Sequence, residues 1–268
     1  MKHWYVIFLL FLFSLSFTGM TVHAQDIEVG LFGGGSYYLG DMNPGKHFAK
    51  TQVAYGLLAR YNIDTRWSVK LGLTRGTVKG DAASGSYLPE RQLTFSSTVT
   101  DISAVTEFNF LPYFTGSRKN SISPYIFAGF SVFFFDPKAN GVSLRSLGTE
   151  GQNEGYQDRR PYSSVSFSIP FGLGVKVSLA KRFGLQAFWE MHKTFTDYLD
   201  DASTTYYLDG HAIDPNNPAQ FLSDPTMNHE PGMQRGNSRN QDWFSFFGVS
   251  LTYRFSLIGS KKCRDLEH

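Results

Sequence analysis

From residue 164 to 179 the chain alternates without a break. Val165, Phe167, Ile169, Phe171, Leu173, Val175, Val177 and Leu179 fall on one face. Ser164, Ser166, Ser168, Pro170, Gly172, Gly174, Lys176 and Ser178 fall on the other. No helix separates those two sets, whereas a strand does so by its two-residue repeat. Seven further segments behave alike, roughly 26–38, 52–63, 67–79, 97–110, 124–135, 183–194 and 242–255. Each is near or above the ~10 residues that a tilted strand needs to cross a membrane. Segment 124–135 fits least well, because both of its faces are apolar from Ile126 onward.

The connections between these segments alternate in length. Tight turns fall at 64–66 and 180–182, and long loops at 40–51, 80–96, 136–163 and 195–241. Only 111–123 departs from the pattern, being medium where a short turn is expected. Short turns on one side and long loops on the other are the habit of an outer-membrane barrel. A soluble sandwich or lipocalin-like barrel also alternates. Its apolar face points inward, however, which would turn Gly172, Gly174 and Gly248 out to water. Trp67, Tyr61, Trp189, Trp243 and Tyr253 lie near strand ends, where membrane barrels carry aromatic girdles. The pattern therefore predicts an all-β fold, an eight-stranded antiparallel transmembrane β-barrel of the outer-membrane type, with long outer loops and short periplasmic turns.

Composition agrees with that class and removes others. Aromatic residues make up 16% of the 268 residues, against 18% charged, and the mean hydropathy is −0.23. That value is too polar for a bundle of membrane helices but suits a barrel, in which every second strand residue meets lipid. A formal net charge of +2 with both signs scattered gives no footprint for nucleic acid. The start Met1-Lys2-His3, the apolar run from Trp4 to Phe13 and the small residues ending at Ala24 read as a signal peptide over 1–24. The barrel then spans 25–255, a periplasmic tail 256–268, and both mature termini lie in the periplasm.

With the polar face of each strand turned inward, aromatic and aliphatic side chains meet lipid while glycine, serine and charge fill the lumen. The inward acids are Glu28, Asp101, Glu107 and Glu190; the inward bases are Arg60, Lys70, Lys176 and Arg254. The set is neutral, and most of its members lie toward the periplasmic ends of their strands, so they are expected to converge. Eight strands leave an interior barely wide enough for side chains. Paired charges there make a plug, not a channel. On the lipid face each would cost about 2–4 kcal/mol near the midplane.

Little else points to chemistry, and the sequence suggests no cofactor. Gly33-Gly34-Gly35 lacks the helix and the Lys-Ser/Thr pair of a phosphate loop and reads as a bend in a strand. Glu190 and His192 share the lumen face, with Thr194 beyond, but no serine or cysteine nucleophile is tied to them by spacing. Asp197, Asp200, Asp201 and Asp209 crowd the start of the last loop without the spacing of a calcium loop. They read as a solvated or loop-ordering acidic cluster. Cys263 is the only cysteine, so no disulfide forms within the chain and no cysteine-based zinc site exists. An odd cysteine in an exported chain pairs with another chain or stays a free thiol. Lys261, Lys262 and Arg264 surround it, which suits an acidic partner surface.

Several stretches resemble one family. They are Glu28-Val29-Gly30-Leu31-Phe32-Gly33-Gly34-Gly35-Ser36-Tyr37-Tyr38-Leu39-Gly40-Asp41, Leu147-Gly148-Thr149-Glu150-Gly151-Gln152, Ile169-Pro170-Phe171-Gly172-Leu173-Gly174-Val175-Lys176 and Phe195-Thr196-Asp197-Tyr198-Leu199-Asp200-Asp201. All are similar to segments of PorG-like outer-membrane proteins of the type IX secretion system. The resemblance implies a non-enzymatic part in protein secretion and gliding motility. It also implies a contact with the periplasmic ring built from the lipoprotein PorK and PorN. The periplasmic turns and the tail with Lys261, Lys262, Cys263 and Arg264 are then the expected docking surface. Outer-membrane lipid is the other expected partner, and neither nucleic acid nor a small-molecule substrate is expected. Two alternatives remain at this stage: a lipid-modifying barrel enzyme centred on His192, and an adhesin acting through the long outer loops.

Overall fold

The alternation closes into a cylinder. The computed structural model describes residues 26–85 and 87–256. The signal segment 1–24 and the tail residues Lys261, Lys262, Cys263 and Arg264 lie outside the described residues. The strands are β1 (Asp26–Leu39), β2 (Gln52–Asn62), β3 (Trp67–Asp81), β4 (Thr94–Asn109), β5 (Ile122–Ala139), β6 (Val142–Ser143), β7 (Val165–Ser178), β8 (Phe183–Thr194) and β9 (Trp243–Ser256). Their order is β4-β3-β2-β1-β9-β8-β7-β5, and β5 pairs back onto β4 to close the barrel. β6 is a short arm folded onto the end of β5. Every pairing is antiparallel.

The register fixes the tilt. A circuit through paired residues runs Ile27, Tyr61, Val69, Thr106, Ala128, Phe171, Met191, Ser245 and back to β1 at Tyr37. The return is ten residues further along β1 than the start. With eight strands, that stagger tilts them by about 40°, within the range of closed barrels. Gly34 and Gly248 face each other where β1 crosses β9, Gly248 with φ 151°. A Cβ on Gly34 would strike the Phe247 carbonyl, and one on Gly248 the Gly33 carbonyl. The three-glycine run is a close strand crossing.

Strand boundaries depart from the sequence pattern at the long-loop end. β3 runs on to Asp81, β4 begins at Thr94, and β5 continues to Ala139. These extensions persist because their inward residues Val78, Phe95, Phe135 and Ala139 pack in the same buried cluster as loop residues Leu93, Leu144, Leu199 and Leu222. That cluster, with a second one of Val105, Tyr125 and Phe127, explains why β5 is apolar on both faces. Tyr125, Phe127, Phe133 and Phe135 point inward and are buried, while Ile122, Ile126, Phe130 and Phe134 point outward and are exposed. The expected division of aromatics to lipid and small or charged groups to the lumen therefore fails along β5, where Tyr125 points inward even near the tight turns. Toward the loops the lumen is filled by Phe32, Tyr38, Phe95, Phe133, Phe244 and Phe246.

The outer wall is a belt of exposed Val29, Leu31, Leu57, Leu71, Ile102, Phe167, Leu173 and Leu251. Aromatic pairs ring its tight-turn end, Trp67 with Phe108 at 4.8 Å and Phe183 with Tyr253 at 5.2 Å between centroids. Among the described residues no helix is long and apolar enough to cross a membrane.

Candidate functional site

The lumen is built in layers. Nearest the tight turns, Arg60 of β2 reaches across to three strands. Its Nε donates to Glu107 Oε2 at 2.7 Å, its Nη1 to Glu28 Oε2 at 2.8 Å, and its Nη2 to Gln186. Lys176 of β7 donates to the same Glu107 oxygen at 2.6 Å, and Ser68 does so at 2.9 Å. Glu28 also accepts from Thr115 at 2.7 Å and Asn62 at 3.1 Å. Thr115 belongs to the connection whose length broke the sequence pattern. That segment turns inward, ties Tyr113 N–H to the Thr65 carbonyl and Gly116 N–H to Ser178, and closes the lumen from below. Its extra length is a floor.

Lys70 occupies the next layer, 3.6 Å from Glu190 and 4.7 Å above the Phe127 ring. Asp101 lies higher still, 3.7 Å from His192. Arg254 is remote from the rest, 3.6 Å from Asp26 and stacked 4.4 Å from the Phe114 ring centroid. The eight inward charges thus all face the lumen, but they do not form one cluster. Glu28, Arg60, Glu107 and Lys176 converge; Lys70, Glu190, His192 and Asp101 follow as a chain above them, and Arg254 pairs with Asp26 apart from both. Sequence reasoning missed Asp26, Ser68, Thr115 and Gln186, which complete these contacts from rows with no distinctive local pattern.

In the lumen, among the described residues, His192 has the look of chemistry. Its Nδ1 is 3.0 Å from Ser168 Oγ, its Nε2 is 3.3 Å from Glu190, and Ser131 and Ser168 are 2.6 Å apart. The fold supplies the serine that spacing did not reveal. Yet Ser168 is 1% and His192 0% exposed, and the imidazole stacks on Phe244 at 4.2 Å and meets Phe246 edge-on at 5.4 Å. The pairing is a polar knot inside an aromatic core. It has no approach for a substrate.

Above that core the long loops form a cap. Arg235 donates to Glu150 Oε1 at 3.2 Å, to the Ser223 carbonyl at 3.0 Å and to the Asp201 carbonyl. Glu150 accepts the N–H groups of Ser203 and Thr204 at 2.9 and 3.0 Å and the Thr204 hydroxyl at 2.5 Å. Asp201 accepts from Thr149 and, at 2.6 Å, from Tyr162, whose ring stacks 4.4 Å from Tyr198. The stretches 147–152 and 195–201, far apart in sequence, therefore meet in one structure. Asp209 is not part of it and instead caps a short turn through His211 N–H.

The remaining cap acids are crowded. Tyr38 OH donates to Asp200 at 2.5 Å and lies 3.0 Å from Asp242. One hydroxyl proton cannot serve two carboxylates, so a further proton is retained there. Burial, reinforced by Asp41, pushes Asp200 up to about 8; burial pushes Asp197 up to about 9 with help from Asp200. Burial raises Asp201 only to about 6, because Arg235 opposes it. Among the described residues no group of three or more acids or histidines is placed to hold a metal ion. Asp200 and Asp201 are buried and hold the loop through these hydrogen bonds, whereas Asp209 lies apart.

Comparisons with known proteins add the following. No curated protein matches the sequence. Solved structures similar to it include neisserial surface protein A, at 8% identity over 86% of this chain and 97% of that one, TM-score 0.41. Another is Ail, the attachment invasion locus protein of Yersinia pestis, at 12% identity over 87% and 99%, TM-score 0.40. A third is OprG of Pseudomonas aeruginosa, at 14% identity over 87% and 97%, TM-score 0.39. Residues 2–207 match the family described as Domain of unknown function (DUF6089), and this closed, eight-stranded, outer-membrane type barrel is a member of that family.

Proposed function

We propose that the protein is a non-enzymatic outer-membrane subunit of the type IX protein secretion and gliding machinery, docking the periplasmic ring of PorK and PorN to the membrane. The closed lumen carries this reading. Arg60, Lys176 and Lys70 bridge the interior from one wall to the opposite one, the 110–121 segment floors it, and the loops cap it. With the lumen closed and its polar groups buried, the end surfaces are where the described residues offer a contact to a partner protein.

The tight-turn end suits such a contact. Among the described residues Arg66, Arg118, Lys119, Lys181 and Arg182 are exposed there, against Asp64 alone. The strand ends at Asp26 and Ser256 pair at that same end. An acidic face on the ring would complement it, and the resemblance of 147–152 and 195–201 to PorG-like proteins supplies the ring's identity.

The test is affinity purification from native outer membranes. Ring subunits are expected to co-purify with the wild type and to be lost on combining Arg118→Glu, Lys119→Glu, Lys181→Glu and Arg182→Glu. Absence of ring subunits from the wild type would overturn the function; their retention by the variant would overturn the docking surface.

A further inference from the structure

One cavity belongs neither to the lumen nor to the tight-turn surface. A crevice of about 670 Å³ lies at the long-loop end, outside the barrel wall and beneath the overhanging loops. Its floor is the outward face of three adjacent strands, with Leu39 of β1, Met191 and Lys193 of β8 and Trp243 of β9. The outward row of β8 reads Phe183, Leu185, Ala187, Trp189, Met191 and then Lys193, its first charge. The crevice therefore spans the level at which hydrocarbon gives way to headgroups.

An aromatic cluster next to the crevice marks the same level. Tyr37, Trp189 and Phe247 pack on the wall with Phe48 from the 40–51 loop, centroids 4.9 to 6.2 Å apart. Trp189 Nε1 donates to Tyr37 OH at 2.8 Å, and that hydroxyl is 3.0 Å from His47. Rings with polar tips are the side chains that favour a membrane interface. Phe48 remains 51% exposed and Tyr87, at the lip of the crevice, 83% exposed.

The polar side of the crevice is cationic. Lys193 and Arg239 are exposed and, among the described residues, take part in no ion pair; Lys193 Nζ lies 5.9 Å from the Trp243 ring centroid. Arg91 is already committed to the Asp41 and Arg235 carbonyls. The one carboxylate, Asp41, accepts the Asn237 N–H at 2.5 Å. Two uncommitted cations over an apolar floor, at the depth of headgroups, match an anionic headgroup with its chains below.

We propose that this crevice binds the phosphate-bearing headgroup of a lipid in the leaflet around the long-loop end. Lys193 and Arg239 hold the phosphate, and Trp243, Met191 and Leu39 take the first part of the acyl chains. Charge-assisted contacts of this kind are each worth about tenfold in affinity.

The test uses the full chain in detergent and native mass spectrometry, with phosphatidic acid, diacylglycerol and inorganic phosphate as probes. The wild type is expected to retain phosphatidic acid over diacylglycerol by about tenfold or more. Lys193→Gln with Arg239→Gln is expected to abolish that preference, while Lys79→Gln with Lys138→Gln, on other strands, keeps it. Heat-modifiable gel mobility verifies that each variant is a closed barrel. Equal retention of the two lipids, equal loss in the control variant, or displacement of the lipid by millimolar inorganic phosphate would each overturn the proposal.

Discussion

Glu107 is the hub of the lower lumen, and its removal has a calculable consequence. It accepts from Arg60 at 2.7 Å, Lys176 at 2.6 Å and Ser68 at 2.9 Å, with Arg60 2%, Lys176 1% and Glu107 0% exposed. Glu107→Leu leaves two buried cations facing Glu28 alone. Arg60 keeps Glu28 at 2.8 Å, but Lys176 is left with Ser68 at 3.4 Å and the Tyr125 ring at 4.6 Å. Breaking a buried pair by removing one partner costs about 3–5 kcal/mol, chiefly through the charge left behind. Since that charge is on Lys176, adding Lys176→Met should restore roughly 2 kcal/mol or more, although it deletes a further polar contact. The assay is urea unfolding of the barrel in lipid vesicles, followed by tryptophan fluorescence. A loss below about 1 kcal/mol for the single variant, or no recovery in the double, would refute the account of the lumen as a mutually neutralised plug.

Other outcomes follow from the same structure. In planar bilayers the wild type should show no stepwise conductance, and a steady open channel would contradict the closed cross-section. Phe244→Ala, at the centre of the upper core, should cost about 3–5 kcal/mol in the same unfolding assay. The cap should loosen with rising pH. Asp197 and Asp200, pushed up to about 9 and about 8, bind protons more tightly folded than unfolded. Their stabilising contribution is therefore full below the ordinary carboxylate range near 4 and is lost as pH rises through the folded values. Hydrogen-exchange protection factors across 195–242, taken relative to the intrinsic rate at each pH, should fall from pH 5 to pH 9, and Asp197→Asn should flatten that fall.

The barrel was legible because alternation is a local signal that a strand must obey. Eight segments, their facing and the two classes of connection followed from it. What stayed hidden depends on contacts between distant residues. The inward aromatics Phe133, Phe244 and Phe246 could not be told from lipid-facing ones, because both environments reward the same side chains. The extended ends of β3, β4 and β5 are stabilised by loop residues such as Leu199 and Leu222, whose position no strand pattern encodes. Arg235 pairs with Glu150 and Asp201 from opposite ends of the long loops, and spacing along the chain carries no trace of that meeting. The resemblance singled out 147–152 and 195–201, and only the structure shows that they meet.

His192 gives the sharpest test of the non-enzymatic reading, because its surroundings hold the parts of a hydrolase. Ser168 Oγ lies 3.0 Å from Nδ1 and Glu190 3.3 Å from Nε2, distances at which a serine can be deprotonated. Catalysis also needs a site about 3 Å from the nucleophile where a substrate atom can stand. Here Ser131 Oγ occupies the space 2.6 Å from Ser168, and Phe244 and Phe246 cover the imidazole. A fluorophosphonate probe should therefore fail to label the folded barrel. His192→Gln should leave ring co-purification intact while lowering stability, since Asp101 and Glu190 lose the ring between them. Labelling that is present in the wild type and vanishes with Ser168→Ala would show that the aromatic core opens, and the enzyme reading would replace the structural one.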